Sequence, residues 1–459
     1  MKTWARLLPL TAIGLALALA PAEGQQAAPA PKGIAKIEHI IVIYLENHSF
    51  DNLFGKFPGA NGLSHASKVS TTQVDLGGKP YKNLPPVIDA SEKPPAADTR
   101  FPPHLPNRPF LIDRYVPLEQ KYPSAVHAYL HEIAQINGGK MNKFVSEGDT
   151  GGLVMGYSDG SKLKLWKYAQ DYVLADNFFH AAFGGSFLNH FWTICACTPV
   201  YPDAPQSMRS TFDAKGHFIK DGAVLPDGSV VNTSFTVFTP HPANITDKSL
   251  LMPPQTTRTI GDALSEKNVS WAWYSGGWNA ALAGNPTSDF QYHHQPFAYF
   301  ANYGDGTEAR KQHLKDETDM VADLDKGTLP AVVFWKPVGE ENEHPGYANT
   351  SSGDEHAAEM IGKIQASPIW KSTVIIVTYD ENGGMWDHVA PPKVDKWGPG
   401  SRVPTVIISP LARRHYIDHT FYDTTSILKL IETRYGLAPL GTRDANANNL
   451  THALNLSSK

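Results

Sequence analysis

Cysteine is almost missing from this chain: two in 459 residues, Cys195 and Cys197. A disulfide-stapled scaffold and a thiolate zinc site both need more of them. With none near residue 24, a lipoprotein anchor is not expected. The pair flanks one residue in the apolar segment Trp192–Cys197, where a disulfide would have to close an awkwardly short loop. Buried free thiols are therefore expected, with the disulfide as the alternative for an exported protein. Charge of one sign is not in excess either. Lys and Arg number 40 against 45 Asp and Glu, a net charge of -5 that argues against a nucleic-acid footprint. There is no internal repeat. Long apolar runs are lacking beyond Leu7–Ala20, which at roughly 14 residues falls short of the roughly 20 that a membrane span requires. With Lys2 and Arg6 before it and Ala22-Glu23-Gly24 after it, that run has the layout of a cleaved secretory signal peptide, residues 1–24.

What is present is ordinary globular composition, 41% hydrophobic and 19% charged. A flexible leader over 25–34, one domain over 35–445 and a tail over 446–459 are expected. Ile40–Leu45 is a continuous apolar run, the pattern of a strand buried on both faces in a parallel sheet, and it stops at Glu46-Asn47. Val374–Thr378 repeats the pattern, and Tyr379 leads into Asp380-Glu381 and the turn Asn382-Gly383-Gly384. Further strands are predicted at 172–175, 269–274, 331–335 and 403–409. Helices are predicted at 123–136, 162–168, 187–194, 259–265, 354–366 and 425–435, and a β excursion at 210–239. Residues 58–115, dense in Pro, Gly, Asp and Lys, are expected to wrap the surface irregularly. Strands alternating with helices predict an α/β sandwich around a mainly parallel sheet.

Open α/β sheets bind ligands at the carboxyl ends of their strands, which is where both acidic pairs fall. Three carboxylates and an amide oxygen suit a hard or borderline divalent cation. Histidine is abundant, 19 residues, and His127, His293, His294 and His344 lie in or beside polar segments. Such groups suit a phosphate as cationic donors and proton carriers. Ser186 follows Gly184-Gly185 and opens a helical segment. Gly156-Tyr157-Ser158-Asp159-Gly160 matches the G-x-S-x-G elbow, but without the buried strand that elbow requires. The tryptophans near Trp271, Trp273 and Trp278 are expected in the core, with cation–π capture of a quaternary ammonium as the alternative.

Together these residues resemble the bacterial phosphoesterase family of secreted acid phosphatases and non-haemolytic phospholipases C. The words that carry the likeness are Glu46–Asn52, Asn137–Met141, Phe183–Ser186, Thr378–Gly384, Trp386–Val389 and Thr425–Leu428, in order from about residue 37 to 435. The resemblance implies an alkaline-phosphatase-like fold, a three-layer α/β/α sandwich. It implies a divalent metal ion on Glu46, Asn47, Ser186, Asp380 and Glu381. Ser186 would be the nucleophile, with a phosphate among Asn47, His127, His293, His294 and His344, and His344 or His127 protonating the leaving group. A small phosphoester, or a phospholipid head group, is the expected partner. Acid-phosphatase-like members are the nearest, since the chain ends soon after the last motif, and general secretion is implied by a leader without paired arginines. A phosphodiesterase using the same centre, its head-group groove shaped by residues 58–115, and a non-catalytic phosphate-binding protein are the alternatives.

Overall fold

The computed structural model describes residues 31–457, so the expected signal peptide and most of the leader lie outside the described residues. Eight strands form the central sheet: β1 His39–Leu45, β2 Val173–Ala175, β3 Trp271–Ser275, β4 Leu314–Asp316, β5 Val332–Lys336, β6 Thr373–Tyr379, β7 Thr405–Ile408 and β8 Tyr416–Asp418. Their spatial order is β4-β3-β5-β1-β6-β7-β2-β8. All neighbours run parallel except β7, which is antiparallel to both β6 and β2. The sheet is mainly parallel, as its unbroken apolar runs predict.

Residues Ile40–Leu45 have no exposed surface. Burying five such aliphatic side chains contributes on the order of 10 kcal/mol before conformational entropy is charged against it. That anchors the polar residues that follow. In the β1/β6 register Leu45 lies opposite Tyr379, so Glu46 and Asp380 leave the sheet at the same edge. In the β1/β5 register Ile43 lies opposite Trp335, which sets Lys336 level with Tyr44.

The helices that matter here are α1 Tyr129–Ile136, α2 Lys164–Asp171, α3 Ser186–Cys195, α4 Ile260–Glu266, α5 Thr350–Ala366 and α6 Thr425–Tyr435. On one face α2 packs against α5, where Asp354 accepts the N–H groups of Lys164 and Leu165 at 2.6 and 2.8 Å and caps α2. On the other, α3 packs against α4 and α6, and the Tyr44 hydroxyl reaches the Asn189 carbonyl at 3.3 Å. This is the predicted α/β/α sandwich. Among the described residues no helix is long and apolar enough to cross a membrane.

Several expectations need correction. Cys195 and Cys197 are joined in a disulfide, not free. Ala196 takes a left-handed conformation at the end of α3, φ 47°, which turns the chain back and brings the two Cα atoms to 5.1 Å. Helix α1 begins at Tyr129 and not near Pro123: Val126 donates its N–H to Asp149 and the chain stays extended through Ala128, so His127 is not helical. Residues 58–115 are more ordered than predicted. They form two-residue strands and a small apolar cluster including Leu84, Val87, Phe101, Leu105 and Ile112, which closes over Trp386. The 210–239 excursion is built on a hairpin of Thr211–Phe212 with Phe218–Lys220. Residues Leu450, Ala453, Leu454 and Leu456, expected in a tail, are buried in the main core.

Candidate active site

Ser186 is the first residue of α3, and its position depends on the two glycines before it. Gly184 has φ +87°, and a Cβ there would sit 2.6 Å from the backbone of Tyr129. The turn therefore lies directly against the segment that carries His127. The Ser186 hydroxyl is 3.3 Å from both Asn47 Oδ1 and Glu381 Oε1. Asn47 holds φ 71°, a conformation asparagine tolerates, and this aims its side chain at Ser186. Its amide Nδ2 lies 3.4 Å from His127 Nε2. His127 Nε2 is in turn 3.8 Å from Glu381 Oε1, and the His127 and His344 rings are 5.5 Å apart. His344 Nε2 stands 3.8 Å from Glu46 Oε2, and His294 Nε2 abuts Glu46 Oε1. Glu46, Asn47, His127, Ser186, His294, His344 and Glu381 thus converge on one place.

Glu46, Ser186, His127, His293 and His344 line a cavity of about 510 Å³. Asp221, Ala223, Asn232 and Thr233 line it as well. No lining residue comes from 58–115, so the segment expected to shape a head-group groove does not reach the site. Trp271, Trp273 and Trp278 are at most 2% exposed and belong to the core, out of reach of any ligand. Ser158 of the G-x-S-x-G match is also buried elsewhere, donating its N–H to Asn52.

Three contributors were not legible beforehand. Lys336, fully buried at the end of β5, places Nζ 2.8 Å from Glu46 Oε1. A lone cation closing an apolar strand was its sequence signal. His190, one turn after Ser186, donates Nδ1–H to the Ser186 carbonyl at 2.7 Å and lies 3.9 Å from Asp380 Oδ2. The four-residue spacing from Ser186 points to it. The Tyr347 hydroxyl donates to Glu46 Oε2 at 3.1 Å, and nothing in its surroundings in sequence singles it out.

Electrostatics separate the carboxylates. Burial would raise Glu46, but His294 and then Lys336 overcome it and hold Glu46 well below the usual range. Burial pushes Asp380 up, Lys336 opposing and Glu46 adding to it, and burial together with Asp380 pushes Glu381 well up. Two buried neighbouring carboxylates in this condition are short of positive charge. Asp380 Oδ2 has no hydrogen-bond partner among the described residues. Oxygen donors 3.3 Å apart, as Ser186 is from Asn47 and from Glu381, match the roughly 3.3 Å edges of an octahedron around a hard cation at about 2.3 Å. The donor set therefore fits a divalent metal ion. A second group able to hold a cation, with more nitrogen donors, is Glu46, His190 and His294.

The histidines differ from expectation. Burial lowers His127 and His294 and takes His190 and His293 well below the ordinary value, and His344 falls to about 3 against the pull of Glu46. His127 Nδ1 donates to the Ala125 carbonyl and His344 Nδ1 to that of Pro345, leaving each Nε2 turned toward the site as a neutral acceptor. A phosphate dianion bound there would raise them again.

Beneath the site, Arg402 binds Asp387 through Nε at 2.9 Å and reaches Asp51 through Nη2 at 3.4 Å, while Asp51 also accepts from His388. This buried network joins the motif after β1 to the motif after β6.

Residues 37–438 match the sequence model of the Phosphoesterase family. The chain belongs to that family. Phospholipase C B of Mycobacterium tuberculosis strain H37Rv is 24% identical over 468 residues, covering 94% of this chain and 80% of that protein. Non-hemolytic phospholipase C of Burkholderia pseudomallei strain K96243 is 24% identical over 514 residues, covering all of this chain and 65% of the other. Among solved structures, a protein of the alkaline phosphatase superfamily from Vibrio parahaemolyticus aligns over 72% of this chain and 74% of its own, at 11% identity and a TM-score of 0.35. This phosphoesterase is a hydrolase of phosphoric esters, built on an α/β fold.

Proposed function

We propose that this phosphoesterase is a secreted, metal-dependent phosphatase of the acid-phosphatase kind that works through a phosphoserine on Ser186. The observation that carries the reading is the Ser186 hydroxyl, in the cavity lining and 3.3 Å from Asn47 Oδ1 and Glu381 Oε1. A divalent cation held by Glu46, Asn47, Ser186, Asp380 and Glu381 would lower the pKa of that hydroxyl and take up charge on the phosphoryl oxygens.

Ser186 Oγ attacks phosphorus in line while its proton passes to Glu381, the carboxylate it already faces. Asn47, His293 and His294 hold the phosphoryl oxygens, and His344 or His127 delivers a proton from Nε2 to the departing alcohol as the P–O bond breaks. Water then attacks the phosphoserine, the same histidine accepting its proton, and as the P–Oγ bond breaks Glu381 returns its proton to Ser186 Oγ, freeing inorganic phosphate and restoring the serine. Histidines that must carry a proton favour an acidic to neutral optimum.

A diesterase or phospholipase C reading draws support from the names of the relatives. Turnover of nitrophenyl phosphate beside its phosphorylcholine diester separates the two. Ser186→Ala is expected to end hydrolysis of whichever substrate is used while the fold survives; retained turnover would overturn the nucleophile assignment.

A further inference from the structure

A carboxylate that the chemistry above does not use sits behind the nucleophile turn. Glu132, on α1, is 1% exposed, yet both its oxygens are fully engaged. Oε2 accepts the N–H of Gly184 at 2.6 Å. Oε1 accepts the N–H and the hydroxyl of Ser401, each at 2.9 Å, and faces His180 Nε2 at 3.0 Å. His180 Nδ1 lies 2.8 Å from the Ala182 carbonyl, and Glu132 raises the pKa of the ring against the effect of its burial. One side chain thus ties together α1, the strand end at His180, the loop before β7 and the turn that presents Ser186.

The neighbouring glycines show how closely these parts fit. A Cβ on Gly185 would meet the His127 carbonyl at 2.6 Å, and one on Gly400 would collide with the His180 ring. Movement of any one segment is therefore passed to the others. A buried carboxylate satisfied by four donors is costly to place unless every donor is present, and such groups fix a single arrangement.

We infer that Glu132 is a positioning residue: through the Gly184 N–H it sets Ser186, and through α1 it sets His127, at the distances the reaction needs. The inference rests on Ser186 being the nucleophile. A displacement of about 1 Å at the reacting atom costs on the order of 10²-fold in rate.

The test uses the full chain, metal-replete, with nitrophenyl phosphate. In Glu132→Gln the amide nitrogen must face a backbone N–H, either Gly184 or Ser401, donor against donor. The expected result is a kcat at least tenfold lower with KM changed less than about threefold, and an unchanged inhibition constant for inorganic phosphate. Glu132→Asp keeps the charge and is expected to recover part of kcat; it also serves if the glutamine variant fails to fold. A kcat per folded molecule equal to wild type in both variants, with only the melting temperature lowered, would mean that Glu132 is structural and would overturn the inference. Ser186→Ala run in parallel keeps the two readings apart: activity surviving there refutes the nucleophile, whereas its loss beside a normal Glu132→Gln refutes the positioning role.

Discussion

Removing divalent cations from the protein should lower its stability in a way set by Asp380 and Glu381. Both carboxyls are fully buried, side by side, with raised pKa values. A site saturated at 100 times its dissociation constant stabilises the fold by about 2.7 kcal/mol. At about 2.1 cal/mol/K per residue, unfolding this domain carries an entropy near 0.9 kcal/mol/K, so the melting temperature should rise by about 3 °C on reloading the chelated protein. The pH dependence follows from the direction of the shifts. A carboxyl raised in the native state contributes stability that is complete below its unfolded value and is lost as pH rises through the native one. The chelated protein should therefore weaken as pH rises, and the cation's stabilising effect should grow, because the ion competes with protons for the same oxygens. Scanning calorimetry at pH 5 and pH 8, with and without added cation, reads both. An Asp380→Asn variant supplies the control, since it should lose most of the shift. Equal shifts in wild type and variant, or a shift larger at pH 5, would refute the placement of the cation.

Arg402→Met should cost about 3–5 kcal/mol, since it leaves Asp51 and Asp387 buried without their shared cation; denaturant titration checks this, and a loss under 1 kcal/mol would contradict it. Gly184→Ala should lower both stability, by about 1–3 kcal/mol, and kcat, because its Cβ cannot fit against Tyr129 without moving the turn. Lys336→Met should release Glu46 from its ammonium partner, and titration of the metal content against pH should show its binding shifted to higher pH.

The strand tips were legible because the apolar runs of β1 and β6 end abruptly in acids, and pairing then aligns those ends. The place of Ser186 at the start of α3 was legible from the glycines before it, whereas its role as nucleophile came from the family resemblance alone. Lys336 was not, since reading it requires knowing that β5 lies beside β1, a fact of register that periodicity does not hold. Glu132 escaped for a similar reason: its partners at positions 180, 184 and 401 are distant in sequence. The disulfide was misread because loop length was weighed without the left-handed turn at Ala196.

Of the residues that line the cavity, Glu46 follows β1, Gly185, Ser186 and Phe187 stand at the start of α3, and Asp221, Ala223, Asn232 and Thr233 come from the 210–239 excursion. The excursion is fastened to the scaffold: Asp221 accepts the N–H groups of Leu130 and His131, Asn232 accepts that of Tyr129, and Val224, Val230 and Val231 are buried in the main core. Wholesale exchange of residues 221–233 would therefore shift α1 and empty part of the core, so altered leaving-group preferences are to be sought by single changes at the lining positions Ala223 and Thr233.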